Sequence, residues 1–379
     1  MMKSEINLKS VDVEWIDSFE RLTEVSETWQ VKKYIAIDTE FERRTTFFAR
    51  LALVQIFDGE KIYLIDPLST ECPSALKDVL ENSNIIKIFH SCKEDLEVLY
   101  TSWKCQLKGL FDTQVAYSFL TDELSIGYAR LVESFYSIPV DKKETTSDWI
   151  KRPLTEQQKE YASKDVLYLI EMFLQQSKDL KEKNYFELFD QECKELCINA
   201  IESSDSFSDY REAKDVWRLN ENQVGLFQCL FDWRENTARQ SDRTKNHIIK
   251  DHELVELTIM APESKNQIRQ LESLHPRSLR LYSESWLEVV KTWQSNGSPS
   301  LDVVLNPRDI NGLKAQTNRI EQIVKEVAKE NDINPTFLLS KRVIRKLAQA
   351  IITNSKKPPQ WKGWRKNLLQ ECISDGVLD

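Results

Sequence analysis

The order of strand and helix signals in the first 200 residues constrains the fold most. Tyr34-Ile35-Ala36-Ile37 is an unbroken apolar run, as expected of a buried strand. Leu51, Leu53 and Gln55 alternate with Ala52, Val54 and Ile56 in a second strand, and Asp58-Gly59 supplies a hairpin turn into Ile62-Tyr63-Leu64-Ile65. Ile85-Ile86-Lys87-Ile88-Phe89 reads as another strand, and Leu110-Phe111 as a short one entering a helix near Thr113. Capping-box spacing opens helices at Asp17 to Glu20 and at Ser91 to Glu94, the second placing Asp95 in its first turn. Thr155-Glu156-Gln157-Gln158 caps one long helix with Ala162, Val166, Leu169, Ile170 and Phe173 at its apolar positions. A hairpin followed by strand–helix units predicts an α/β domain, a mixed sheet flanked by helices.

After residue 200 the strand signals fade. Ser203-Ser204-Asp205-Ser206 reads as a polar linker, and residues 207–290 as helices, with Leu226, Leu230 and Trp233 at spacings of four and three. Asn296-Gly297-Ser298-Pro299 marks the next boundary. Beyond it, Ile333-Asn334-Pro335-Thr336-Phe337-Leu338 repeats the isoleucine-to-leucine spacing of Ile249-Lys250-Asp251-His252-Glu253-Leu254, suggesting a second, diverged copy of one helical module. The expected domains are 1–200, 207–292 and 298–379, a number in keeping with the length of 379 residues. No apolar run approaches ~18 residues, so no membrane span is expected, and the start lacks the apolar core of a signal peptide. Seven cysteines at irregular spacing do not form a disulfide framework; the reducing cytoplasm is the expected compartment. No heptad or apolar stripe calls for a partner subunit, so a monomer is expected.

The candidate chemistry is acidic. Asp38 and Glu40, two apart at the end of a strand, share a face. Tyr161 and Asp165, four apart on a helix, share another. Carboxylates gathered in one place repel unless protons or cations neutralise them, and hard divalent ions such as Mg²⁺ or Mn²⁺ prefer such oxygens. Taken singly each residue has a plainer reading, as a turn, a helix edge or, for Asp95, a partner of the helix dipole. Four histidines without an i, i+4 pair give no zinc-protease motif, and no phosphate-binding glycine loop occurs. His90 is a candidate substrate contact or a packed residue at a strand end. Phe47 and Phe48, with Arg43 and Arg44, suit a single strand of nucleic acid or equally a packed loop. The net charge of −9 opposes nucleic-acid binding overall, yet Lys341 to Lys366 holds nine Lys/Arg and no Asp or Glu. That stretch is a local phosphate-binding surface or a solvated helix face.

Asp38-Thr39-Glu40-Phe41, His90-Ser91-Cys92-Lys93-Glu94-Asp95-Leu96 and Tyr161-Ala162-Ser163-Lys164-Asp165 resemble, in order, the three motifs of DEDD-superfamily exonucleases of the tyrosine subtype. Asp112-Thr113-Gln114 and Asp148-Trp149 through Arg152-Pro153-Leu154-Thr155-Glu156 are similar to ribonuclease D in particular. Trp233-Arg234-Glu235 and Ile249 to Leu254 resemble the helicase-and-RNase-D C-terminal (HRDC) domain. The resemblance implies a ribonuclease H-like exonuclease domain followed by two all-α HRDC-type modules. It further implies two-metal 3′→5′ hydrolysis of RNA to 5′-nucleoside monophosphates, in tRNA 3′ maturation. Asp38 would bridge the two ions, Glu40 and Asp165 would complete one site and Asp95 the other, with Tyr161 orienting water. A DNA exonuclease and a non-catalytic RNA-binding adaptor are the alternatives.

Overall fold

In the computed structural model, which describes residues 11–138, 147–296 and 303–375, a short strand β1 (Asp12–Ile16) precedes α1 (Phe19–Trp29). The apolar runs become β2 (Tyr34–Glu42), β3 (Arg50–Phe57) and β4 (Lys61–Ile65). Then follow α2 (Ser74–Glu81), β5 (Ile86–Phe89), α3 (Lys93–Trp103), β6 (Leu110–Asp112) and α4 (Thr113–Leu120). Four more helices complete this part: α5 (Tyr128–Tyr136), α6 (Glu156–Leu167), α7 (Leu169–Glu182) and α8 (Phe186–Asp205).

The six strands form one sheet in the order β1-β4-β3-β2-β5-β6. β2, β3 and β4 are antiparallel neighbours, whereas β5 joins β2, β6 joins β5 and β1 joins β4 in parallel. The hairpin between β3 and β4 closes because Asp58 Oδ1 accepts from the Glu60 and Lys61 backbone N–H, both at 2.9 Å, while Gly59 takes φ +93. Ile35, Ile37, Leu53, Ile56, Ile88 and Trp29 are fully buried around the sheet. Each such aliphatic side chain contributes about 1.5–3 kcal/mol by leaving water.

Some local expectations differ from the structure. The cap of α1 is Ser18, whose hydroxyl accepts from Arg21 N, one residue later than the Asp17 to Glu20 spacing suggested. The cap of α3 is Cys92 with no side-chain bond, because Ser91 sits in the left-handed region at φ 61; Asp95 remains in the first turn. The helix expected to run on from Thr155 is two, parted at Tyr168. The polar stretch Ser203 to Asp205 is the last turn of α8, where the Ser203 and Ser204 hydroxyls donate back to Ala200 O at 3.2 and 2.7 Å.

The chain divides into two compact units. One joins Arg43–Ala49 to the described residues of Asp205–Asn311; the other holds the described residues up to Glu42, those of Arg50–Ser204, and those from Gly312 onward. The first-named unit is helical: α9 (Glu221–Gln240), α10 (Lys245–Ile248), α11 (Asp251–Met260), α12 (Lys265–Ile268) and α13 (Pro276–Asn296). Phe227, Leu230, Leu254, Leu257, Ile268 and Trp286 are 0–1% exposed in its core. Its motif residues are internal ties: Arg234 Nη1 donates to Asp251 Oδ1 at 2.7 Å and Ile249 O at 3.2 Å, and Lys245 Nζ lies 2.8 Å from the buried Glu235. Residues 297–299 of the boundary expected near Asn296 lie outside the described residues.

The C-terminal helices, α14 (Leu313–Glu330), α15 (Pro335–Leu338), α16 (Lys341–Ile352) and α17 (Gly363–Asp375), belong to the same unit as the sheet. Phe119 of α4 packs edge-on against Phe337 at 4.8 Å and near Trp364 at 5.7 Å. Glu192 of α8 accepts from Trp364 Nε1 at 2.8 Å and from Arg365 Nη2 at 3.0 Å, and Tyr185 Oη donates to Asp332 O at 2.7 Å. An aromatic contact ringed by charge-assisted bonds therefore holds this module to the nuclease domain.

Candidate active site

β2 continues past its carboxylates to Glu42, with a pairing irregularity between Glu40 and Phe41. Asp38 and Glu40 thus project from within the sheet, on one face. α6 crosses β2, β3 and β4 and brings Asp165 to that face. Among the described residues, Asp38, Glu40 and Asp165 form a set whose ligand oxygens all lie within 4.8 Å of one another. Between the pair, Thr39 donates from Oγ1 to Asp95 Oδ1 at 2.5 Å, tying the first turn of α3 to the strand that carries them.

Two further carboxylates set the elements that carry these four. Asp112, 1% exposed, accepts from the backbone N–H groups of Ser91 (3.1 Å) and Cys92 (2.8 Å), fixing the turn into α3. It also accepts from Gln114 (2.8 Å) and Val115 (3.2 Å), capping α4. Asp66, 2% exposed, receives a fork from Arg152, Nε at 2.9 Å and Nη2 at 2.7 Å. Arg152 also donates to Ala52 O at 2.6 Å and Trp149 O at 2.7 Å, pinning the segment before α6 onto the sheet. Three residues on, Thr155 and Gln158 complete the capping box that starts α6. The Asp112 and Arg152 segments therefore position the acids rather than join them.

Electrostatics shows how unfavourable the bare cluster is. Burial, then the Asp95, Asp165 and Glu40 charges, push Asp38 well above the ordinary carboxylate range. Burial, reinforced by Asp165 and Asp95, raises Glu40 to about 9. Burial raises Asp165 to about 8, against a hydrogen bond from Tyr161 that favours the carboxylate. Burial raises Asp95 to about 7, against the Thr39 bond. Closely spaced carboxylates that hold their protons at neutral pH are a donor set of hard oxygens, suited to divalent cations that displace those protons.

The other candidates are placed differently. Tyr161 is bonded to Asp165 and its ring stands 6.0 Å from that of Trp149. Both ring nitrogens of His90 are engaged, Nδ1 with Thr113 Oγ1 at 2.9 Å and Nε2 with Ile126 O at 3.0 Å. Phe47 and Phe48 fall in the helical unit, where both backbone N–H groups donate to Asp242 Oδ1, at 3.0 and 3.1 Å. The Phe47 ring lies 5.0 Å from the Arg239 guanidinium. Thr39 and Asp66 escaped the sequence reading; Thr39 alone left a trace, being the residue between two strand carboxylates.

Comparison with known proteins accords with this architecture. The 3′–5′ exonuclease family model matches residues 13–181, the HRDC domain model residues 223–290, and the model for the ribonuclease D C-terminal HRDC domain residues 312–373. Ribonuclease D of Pseudomonas paraeruginosa is 32% identical over 372 residues, covering 97% of this chain and 98% of that one. Ribonuclease D of a Shewanella species is 32% identical over 348 residues, covering 91% and 89%. The crystal structure of Escherichia coli RNase D, described as an exoribonuclease involved in structured RNA processing, superposes with a TM-score of 0.89 at 28% identity, covering 97% of this chain and 99% of that one. Likeness that spans all three segments in order, and not the nuclease domain alone, makes this chain a member of the ribonuclease D family of 3′→5′ exoribonucleases.

Proposed function

We propose that the chain removes nucleotides one at a time from RNA 3′ ends by hydrolysis assisted by two divalent ions, releasing 5′-nucleoside monophosphates. The observation that carries this is the convergence of Asp38, Glu40 and Asp165 within 4.8 Å. Asp38, Glu40 and Asp165 would hold the ions, with Asp38 shared between them and Asp95 serving the second; Mg²⁺ or Mn²⁺ would suit these oxygens. Bound there, the ions supply positive charge against the scissile phosphate and ease ionisation of the attacking water. Tyr161 orients that water through its phenol, a poor base at neutral pH. Thr39 holds Asp95 in place, and the two forks at Asp112 and Asp66 keep α3 and α6 from drifting.

The RNA body is a structured RNA such as a tRNA precursor. Support comes from the structured-RNA role in the name of the Escherichia coli relative and from the basic stretch after Ser340. Lys341, Arg342 and Arg345 are exposed on α16, followed by exposed Lys356 and Lys357, while Arg365 of the same stretch is committed to Glu192. The enzyme acts as a monomer in the cytoplasm; its seven cysteines outside any disulfide fit a reducing compartment. Among the described residues no helix is long and apolar enough to cross a membrane.

A time course on a 3′-extended tRNA precursor tests this. Stepwise shortening with mononucleotide release, abolished by chelator, is expected. Asp38→Asn removes the bridging ligand and lowers the rate by more than about a hundredfold while RNA retention persists. Undiminished hydrolysis by that variant would exclude the metal-bridging role.

A further inference from the structure

The apolar positions Ala162, Val166, Leu169, Ile170 and Phe173 continue in register past residue 167, yet α6 stops at Leu167 and α7 restarts at Leu169. Neither helix contains proline or glycine. The two are parted only at Tyr168, which keeps φ −96 and ψ −6, and a break without proline or glycine is commonly made by a group inserted into the i→i−4 ladder. Here that group is the Tyr128 phenol. Its oxygen donates to Lys164 O at 2.5 Å, and the Tyr168 backbone N–H, which in a continuous helix would close on that carbonyl, is directed instead to the same phenol and to Val166 O. One hydroxyl thus replaces one helical bond, and it does so at the residue next to Asp165. We infer that Tyr128 is a positioning residue for the metal-holding carboxylate, its hydroxyl ending α6 and so setting the angle at which Asp165 meets Asp38 and Glu40.

The phenol is itself held firmly. His90 stacks edge-on against the Tyr128 ring at 5.7 Å, and Ile126 O, two residues before, accepts from His90 Nε2 at 3.0 Å and Gln114 Nε2 at 2.9 Å. Tyr128 also lies close enough to Asp165 and Asp38 that, after burial, their charges raise its phenol well above the usual range. His90 gains a role from this: it sets the wedge rather than the substrate. Without the hydroxyl, Tyr168 N–H either closes on Lys164 O, straightening the helix, or keeps Val166 O and leaves Lys164 O without that donor; both move Asp165.

This inference rests on the metal-centre reading. Full-length wild type, Tyr128→Phe and Tyr136→Phe are titrated calorimetrically with manganese(II) chloride alone, then assayed on RNA. Tyr128→Phe keeps the ring that His90 packs against. Tyr136→Phe removes a hydroxyl from the same helix that bonds Glu171 of α7 at 3.1 Å. Tyr128→Phe weakens Mn²⁺ binding on the order of tenfold, the usual effect of removing a group that orients a ligand. It lowers kcat with KM unchanged, and speeds or slows amide exchange at Tyr168. Tyr136→Phe leaves Mn²⁺ binding as in wild type. Mn²⁺ affinity of Tyr128→Phe within about twofold of wild type would overturn the positioning role alone. A wild type that takes up no Mn²⁺ would overturn both this role and the metal centre.

Discussion

Filling the acidic cluster with metal must expel protons. Groups titrating at about 9, 8 and 7, for Glu40, Asp165 and Asp95, hold roughly 1.0, 0.9 and 0.5 proton at pH 7. Asp38 is raised as well. Saturation with Mg²⁺ or Mn²⁺ at pH 7 therefore releases between about two and three protons per chain. Affinity then rises with pH by about a hundredfold or more per unit near neutrality. Calorimetric titration in buffers of different ionisation enthalpy reads the proton count directly. The metal-free fold binds more protons than the unfolded chain, whose carboxyls titrate near pH 4. The contribution of these four groups to stability is accordingly greatest below that pH and is lost as pH rises from about 4 through 7 to 9, by about 1.4 kcal/mol per pH unit for each excess proton held. Saturating metal removes that loss. Release of less than about half a proton at pH 7, or affinity flat from pH 6 to 9, would refute the argument.

Thr39→Val removes the bond to Asp95 while keeping a strand-compatible shape; it should lower kcat by about 10- to 100-fold and weaken metal activation, seen in steady-state rates against Mg²⁺ concentration. Arg152→Ala strands Asp66 without its fork and should cost about 3 kcal/mol in urea unfolding, with activity falling in parallel as the start of α6 loosens. Replacing Lys341, Arg342 and Arg345 together by Ala should raise KM for structured RNA without altering kcat on a short oligonucleotide. It should also flatten the plot of log affinity against log salt by roughly 2, which filter binding measures.

The sheet was legible because its strands are apolar runs closed by turn residues. β1 was not, since Asp12–Ile16 is a half-polar edge strand that becomes regular only by pairing with β4. Period two placed Asp38 and Glu40 on one face, and period 3.6 did so for Tyr161 and Asp165. No spacing, however, could reveal that the two faces meet. The cap of α3 moved because a distant carboxylate, Asp112, claims the Ser91 and Cys92 N–H groups. The break after α6 was hidden for a similar reason: it comes from a tyrosine forty residues upstream, while the local pattern is continuous. The linker near Ser203 looked polar because its serines bond backward to the helix instead of facing a turn. Local periodicity predicted elements, and long-range hydrogen bonds decided where they end.

The polypeptide passes between its two units four times, after Glu42, Ala49, Ser204 and Asn311. The first HRDC-type module is consequently not a bead that can be trimmed from a string. It owns the tip of the hairpin between the strand bearing Asp38 and its neighbour, down to the Asp242 carboxylate that grips two peptide groups there. An engineer or a duplication event that discards residues 205–311 inherits an orphaned aromatic tip, Phe47-Phe48, at the end of the catalytic strand. A viable minimal nuclease from this lineage would have to shorten both segments together.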